Sequence, residues 1–364
     1  MLLLTSEFPP QPGGIGKHAH DLSTALTQEG KQITVICDTR SKDGKEEQEF
    51  DAKLPFEVQR IPRNTWLPFT YLKRIKTALK QSKSHEVILV SGKFSLWMVY
   101  LLKLFRKQQC IAIIHGTEIQ LPKPYQRKFT NHCLKKCDGV IAVSNYTASL
   151  VAPLALKSLK VIPNGIFPPK SEGLHTLSPN LQLITVGNLT KRKGQYNVIK
   201  ALPTIKKHFP SLQYHLVGLP TEKEEMEALA SRLGVSEQLV FHGRVSEAEK
   251  ELLLQKASIF MMLSEETETG DTEGFGIAIL EANAFGVPAI GSLGCGIEDA
   301  IDQGISGFLV SPEDVEGISK SIQDIIQTYP KFSQQAAGWS QKFHWEKVVQ
   351  QYLAFIHETV SKNS

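Results

Sequence analysis

The sequence predicts an α/β protein made of two doubly wound, Rossmann-like domains facing a central cleft, and three observations predict it. Short, near-continuous apolar runs alternate with stretches of helical period, as expected of parallel strands covered on both faces. The alternation halts at a breaker cluster, 163–169, which includes Pro163, Gly165, Pro168 and Pro169, and then starts again. Charge changes sign at the same place: residues 1–165 hold 24 Lys and Arg against 13 Asp and Glu, whereas residues 166–364 hold 17 against 24. A chain of 364 residues, 41% hydrophobic and 21% charged, is too long for one ordinary domain and too apolar for disorder.

The elements follow in order. Residues 2–6 read as a short buried strand, since no basic start or small-residue cleavage site marks an export signal. A Pro/Gly loop follows, and then Ile15, Ala19, Leu22, Ala25 and Leu26 recur at helical spacing until Gly30 closes the helix. Residues 33–37, 87–90, 111–114 and 140–143 are the further strands of the first half. In the second half the strands are 181–186, 214–217, 240–241, 259–263 and 289–290. Domains are expected at 1–165 and 166–344. A last helix, 345–364, carries Trp345, Val348, Val349, Tyr352, Leu353 and Ile356 on one side and must bury that stripe. The longest apolar run, 94–105, contains Lys103 and is too short to span a membrane.

Composition narrows the function. Five cysteines, Cys37, Cys110, Cys133, Cys137 and Cys295, are few and odd in number, as in a reducing cytoplasm. His132, Cys133 and Cys137 share a helix face but lack the further cluster a zinc site needs, so no metal is expected. The basic front half predicts an anionic partner. Trp66, Phe69 and Tyr71 interleave with basic residues up to Lys80, so this segment can lie on an anionic membrane surface, at about 1 kcal/mol per basic residue. The competing reading is a solvated basic face with its aromatics in the core. No nucleic-acid motif accompanies the charge.

Four loops carry the chemistry. Glu273 and Glu281 stand eight positions apart around Gly274-Phe275-Gly276, a turn that opens a helix and offers free N–H groups to an anion. Glu281 falls in the second turn, where a carboxylate can accept two bonds from a vicinal diol such as a ribose. A glycosidase pair is disfavoured, because the helix dipole opposes the raised pKa its acid requires. Lys191, Arg192 and Lys193, between Gly187 and Gly194, form a candidate phosphate clamp. Gly13, Gly14 and Gly16 form a glycine loop which, with Asp38, imitates a dinucleotide fingerprint. His115, at the end of a strand, stands where a cleft is expected.

Taken in order, these motifs resemble the retaining glycosyltransferases of family 4 (glycosyltransferase group 1), which have the two-domain GT-B fold. The resemblance runs from the glycine loop through His115-Gly116, Val143-Ser144, 161–165, 187–194 and the Glu273/Glu281 motif to 304–310. It implies sugar transfer from a nucleotide-diphosphate donor, GDP- or UDP-linked, with no metal and with the nucleotide sugar as co-substrate rather than cofactor. It also implies that Glu281 holds the ribose, that Glu273 with the Phe275 and Gly276 amides binds the sugar, and that Lys193 binds the diphosphate. Gly14 and Gly16 would approach the phosphates, His115 the sugar, and the Val245 backbone the base. Gly274, Ile277, Asn188 and Arg192 complete the implied donor site, and the last helix would cross back to the first domain. Asn188 stands where the family often has Arg, and Cys295 interrupts a pair of glycines.

The expected protein is therefore a cytoplasmic transferase, peripheral at the inner membrane face, with a lipid-linked or glycan acceptor. Its rivals are an NAD-dependent dehydrogenase built on Gly13–Gly16 and Asp38, and a non-catalytic nucleotide-binding scaffold.

Overall fold

Apolar runs and helices wind into two separate parallel sheets, one in each half. The computed structural model describes all residues except 64–66, 106, 170–176, 269 and 363–364. Trp66, at the head of the basic aromatic segment, and Thr269, in the acidic run before Glu273, thus lie outside the described residues. Two units divide the chain, Met1–Phe167 with Trp345–Ser364, and Pro168–His344.

The first unit contains β1 (Leu2–Leu4), α1 (Gly14–Gln28), β2 (Thr34–Thr39), α2 (Lys45–Asp51), β3 (Glu57–Pro62), α3 (Leu67–Gln81) and β4 (Val87–Ser91). It continues through α4 (Lys93–Phe105), β5 (Gln109–Ile114), α5 (Pro124–Lys136), β6 (Gly139–Ala142), α6 (Asn145–Val151) and β7 (Leu159–Val161). The strand order is β3-β2-β1-β4-β5-β6-β7. All pairings are parallel, and Leu3 stands opposite Val35 on one side and Leu89 on the other. Central strands are buried along their length, hence their unbroken apolar runs. Strands β3 and β7 escaped the apolar-run criterion because they are edge strands. Edges admit polar residues, here Glu57, Gln59, Arg60 and Lys160.

The second unit contains β8 (Gln182–Val186), α7 (Gln195–His208), β9 (Gln213–Val217), α8 (Lys223–Arg232), β10 (Leu239–Gly243), α9 (Glu247–Lys256) and β11 (Ile259–Met262). After them come α10 (Ile277–Ala284), β12 (Ala289–Ser292), β13 (Gly307–Val310), α11 (Val315–Gln327) and α12 (Tyr329–Ser340). Its order is β10-β9-β8-β11-β12-β13, the doubly wound arrangement again. Edge strand β13 was likewise not anticipated as a strand. In both sheets the order reverses beside the first strand, β1 against β4 and β8 against β11, and ligands of such folds sit at the carboxyl ends there.

The chain ends in α13 (Trp345–Ser361), which belongs to the first unit. Of the predicted stripe, Trp345, Val348, Val349, Tyr352 and Ile356 are buried; Leu353 is only partly so, and Phe355 joins them. The indole of Trp345 lies on Gly165 and the ring of Phe355 on Gly139, where added Cβ atoms would stand 2.5 and 2.9 Å from the rings. The first unit extends to Phe167, two residues past the expected boundary. The Trp345 N–H donates to the Ile166 carbonyl at 3.0 Å, and its ring lies 6.4 Å from that of Phe167, which ties both residues to this unit.

Candidate active site

Every predicted site residue of the second unit lies in or just beyond a loop at the carboxyl end of a strand. The loop after β8 carries Asn188, Arg192 and Lys193, and Gly194 makes it possible. At φ +76°, a Cβ on Gly194 would stand 1.9 Å from the Leu263 carbonyl oxygen, so only glycine lets this loop cross the end of β11. The crossing delivers two cations to one carboxylate. Arg192 donates through Nη1 to Glu273 Oε2 at 2.6 Å, and Lys193 through Nζ to the same oxygen at 2.7 Å.

Burial works to raise the Glu273 pKa, but Lys193 and Arg192 outweigh it and hold the carboxyl below its ordinary range. Glu273 is thus an ionised, oriented acceptor. Arg192 also pairs through Nε with Asp271 at 3.3 Å. The acidic run before Glu273 is therefore only partly solvated. Glu266 and Glu268 are exposed, but Asp271 is part-buried and its pKa is raised, by burial first and by Glu273 second among the raising causes.

Gly274, Phe275 and Gly276 lead from Glu273 into α10, which starts at Ile277 with Gly276 as a left-handed N-cap and no side-chain capping bond. Phe275 is buried and anchors the turn, its ring 6.1 Å from that of Phe343. Behind the turn, the Gly296 N–H donates to the Glu273 carbonyl at 2.9 Å, and a Cβ on Gly296 would stand 2.0 Å from the Gly274 oxygen. Cys295 turns into the wall towards Ser292, and Gly296 braces the turn.

Glu281 accepts from Lys250 Nζ at 3.1 Å, and the same ammonium reaches Glu247 at 2.7 Å. Sequence reasoning missed Lys250, although a signal was present. Lys250 and Leu254 lie four apart on α9 and are its two buried residues, so helical period puts a cation on the inward face. Asn188 is exposed, and its backbone carbonyl accepts from Gln195 Nε2 at 3.1 Å. Val245, after β10, is part-buried.

The first unit gathers a second set. Gly14 opens α1 after the N-cap Gly13 with no side-chain cap; a Cβ on Gly14 would meet open space, whereas Gly16 packs on the Glu7–Phe8 backbone. His115 is buried. Its Nε2 lies 3.0 Å from Ser91 Oγ, its backbone N–H donates to Glu118 Oε1 at 2.8 Å, and its ring meets that of His18 edge-on at 4.9 Å. Burial, then His18, pushes its pKa well below the ordinary value, so the imidazole is neutral at pH 7. Burial also raises Glu118 to about 7.

Asp38 does not serve as a ribose ligand here. It is buried, receives Arg74 on both oxygens and Arg63 Nε on Oδ2 at 2.9 Å, and has little left to offer a diol. Cys133 and Cys137 are core residues of this unit, and the exposed His132 packs on Tyr100 at 5.6 Å. On α3, Phe69 and Leu72 are 54% and 61% exposed beside exposed Lys73, Lys76 and Lys80, so these apolar side chains do not enter the core. Among the described residues no helix is long and apolar enough to cross a membrane.

Two family models match the chain, "Glycosyltransferase Family 4" over residues 12–168 and "Glycosyl transferases group 1" over 174–339. The chain is 28% identical to a GDP-mannose-dependent alpha-(1-6)-phosphatidylinositol monomannoside mannosyltransferase of Mycolicibacterium smegmatis, over 90% of this chain and 89% of that one. A monoacylated-substrate counterpart from Corynebacterium glutamicum is 26% identical over 89% and 88%. In fold the chain is similar to a sucrose-phosphate synthase of Thermosynechococcus elongatus, with a TM-score of 0.82 at 19% identity over 99% of each chain. It is similar also to HepE of Anabaena in complex with UDP and glucose, with a TM-score of 0.76 at 20% identity over 99% and 98%.

Proposed function

We propose, for a chain that belongs to the family 4, group 1 glycosyltransferases of GT-B fold, that it transfers a sugar from a GDP- or UDP-linked donor to a lipid-linked or glycan acceptor, with retention and without a metal. The observation that carries this reading is the convergence of Arg192 and Lys193 on Glu273 at the opening of α10. Breaking a sugar–phosphate bond builds negative charge on the departing diphosphate, and fixed cations and helix N–H groups stabilise it without reorganising. Glu273, ionised and oriented, accepts hydrogen bonds from the sugar hydroxyls. Glu281 accepts from the ribose diol, with the Lys250 ammonium holding its other side in place.

The acceptor hydroxyl attacks the anomeric carbon on the face the diphosphate leaves. The carbon–oxygen bond to phosphate breaks, and the leaving phosphate oxygen takes the acceptor proton. His115, neutral, contacts the sugar rather than supplying a proton. A glycolipid acceptor is favoured by the named substrates of the mannosyltransferase relatives. Cytoplasmic work at the inner membrane face is favoured by Phe69 and Leu72 standing beside Lys73 and Lys76.

A thermal-shift panel with GDP-mannose, UDP-glucose and NAD tests the donor. A ligand at 100 times its Kd adds about 2.7 kcal/mol of stability. Stabilisation by a nucleotide sugar, product of unchanged anomeric configuration by NMR and turnover that survives EDTA are expected. Stabilisation by NAD alone, or a donor bound yet never consumed across an acceptor panel, overturns the reading.

A further inference from the structure

A second charged hollow lies at the opposite end of the first sheet. It is a cavity of about 550 Å³ lined by Lys103, Lys135, Lys136, Asp138, Lys157 and Lys362. Asp138 immediately precedes β6 and Lys157 leads into β7, so the hollow is at the amino ends of these strands. His115 and the opening of α1 are at the carboxyl ends. The hollow is therefore separate from the site described above and unused by it.

Its charge is unbalanced. Asp138 is committed to the wall, accepting from Lys103 Nζ at 2.5 Å and from the Cys110 N–H at 2.7 Å. Lys362 pairs with Glu358 at 2.6 Å and Lys136 lies 5.7 Å from the Tyr100 ring centroid. Lys135 and Lys157 make no ion pair among the described residues. Helix dipoles explain one lysine at each of the ends of α4, α5 and α13. They explain neither the doubled lysine of α5 nor Lys157, which belongs to no helix. Like charges brought to one concavity by separate segments focus a positive field within it.

We propose that this cavity binds a ligand carrying at least two phosphate groups. Its volume exceeds what one phosphate fills, and its five lysines come from four separate places along the chain. Lysines act as adjustable point charges where arginine would demand planar, bidentate geometry, which suits a cluster of phosphates over a carboxylate. The same chemistry is met in a soluble polyphosphate and in a polyphosphorylated lipid headgroup. The proposal does not rest on the donor reading.

Calorimetric titration of the full chain with tripolyphosphate tests the soluble source. Sedimentation with phosphatidylcholine vesicles carrying phosphatidylinositol bisphosphate, against phosphatidylserine vesicles of equal charge, tests the headgroup. Binding of either probe should fall roughly tenfold or more in Lys135→Gln/Lys157→Gln, the loss of charged hydrogen bonds, with the unliganded melting temperature unchanged. Lys193→Gln, which alters the donor clamp, should leave that binding in place. Tripolyphosphate alone binding in this manner assigns a soluble ligand, and the bisphosphate vesicles alone assign a headgroup. Equal binding by wild type and double variant, no binding of either probe, or loss in Lys193→Gln instead, overturns the proposal. The single variants serve the same comparison if the double variant does not fold.

Discussion

At the scale of single residues, the charges of the proposed site are paired with one another. Lys193 and Arg192 meet on one oxygen of Glu273, so removing either leaves that carboxylate less well oriented and, on the proposed reading, the diphosphate less well met. Lys193→Ala is expected to lower kcat by about 10²–10³, the cost of losing one preorganised donor. Glu281→Ala should instead raise the donor KM, because a ribose contact is made alike in ground and transition states. Steady-state kinetics with the donor varied separates the two, and wild-type values in both would remove the assignment.

Glu118 gives a pH signature. Its folded pKa of about 7 lies above the ordinary 4.5, so its contribution to stability is fully present below pH 4.5 and lost as pH rises to about 7. Over that window the loss is ~3 kcal/mol, and Glu118→Gln should flatten this part of the stability–pH curve measured by urea unfolding.

At the scale of elements, helix faces decide what each helix does. On α3, Arg74 is buried against Asp38 while Phe69 and Leu72 project beside lysines, so the face left outside is apolar and basic at once. Phe69→Ser/Leu72→Ser should reduce sedimentation with phosphatidylglycerol vesicles and leave the melting temperature nearly unchanged, since both side chains are already exposed. Helix α13 is the opposite case. It packs on two glycines, and Gly165→Ala should cost roughly 1–3 kcal/mol by overpacking Trp345, read as a lowered melting temperature. Its Tyr352 hydroxyl lies 3.0 Å from His18 Nε2, and His18 in turn packs on His115. The last helix of the chain therefore supports the residue at the end of β5.

At the scale of the molecule, the same strand order is used twice with opposite charge. The basic half builds its sheet from seven strands and the acidic half from six, and both reverse beside their first strand. Sequence made most of this visible. Buried central strands have to be apolar throughout, and the glycine loops and paired glutamates fall where strands give way to helices. The edge strands β3 and β7 were not legible, because an open flank admits Glu57, Gln59, Arg60 and Lys160 and breaks the apolar run. Within the site, Glu273 and Lys193 were legible as residue types at suggestive places. Their direct pairing, the Lys250–Glu281 contact, and the bracing of Glu273 by Gly296 were not.

The sequence by itself determined the alternation of elements, the place where the chain divides and the order of the motifs, since periodicity and turn chemistry act over a few neighbouring residues. Only the tertiary structure decided which charges meet: Arg192 with Glu273 across 81 positions, Lys250 with Glu281 across 31, Arg74 with Asp38 across 36. Such pairs are set by which strands lie side by side and which loops share a sheet end. That is a property of the folded chain, and no local pattern carries it.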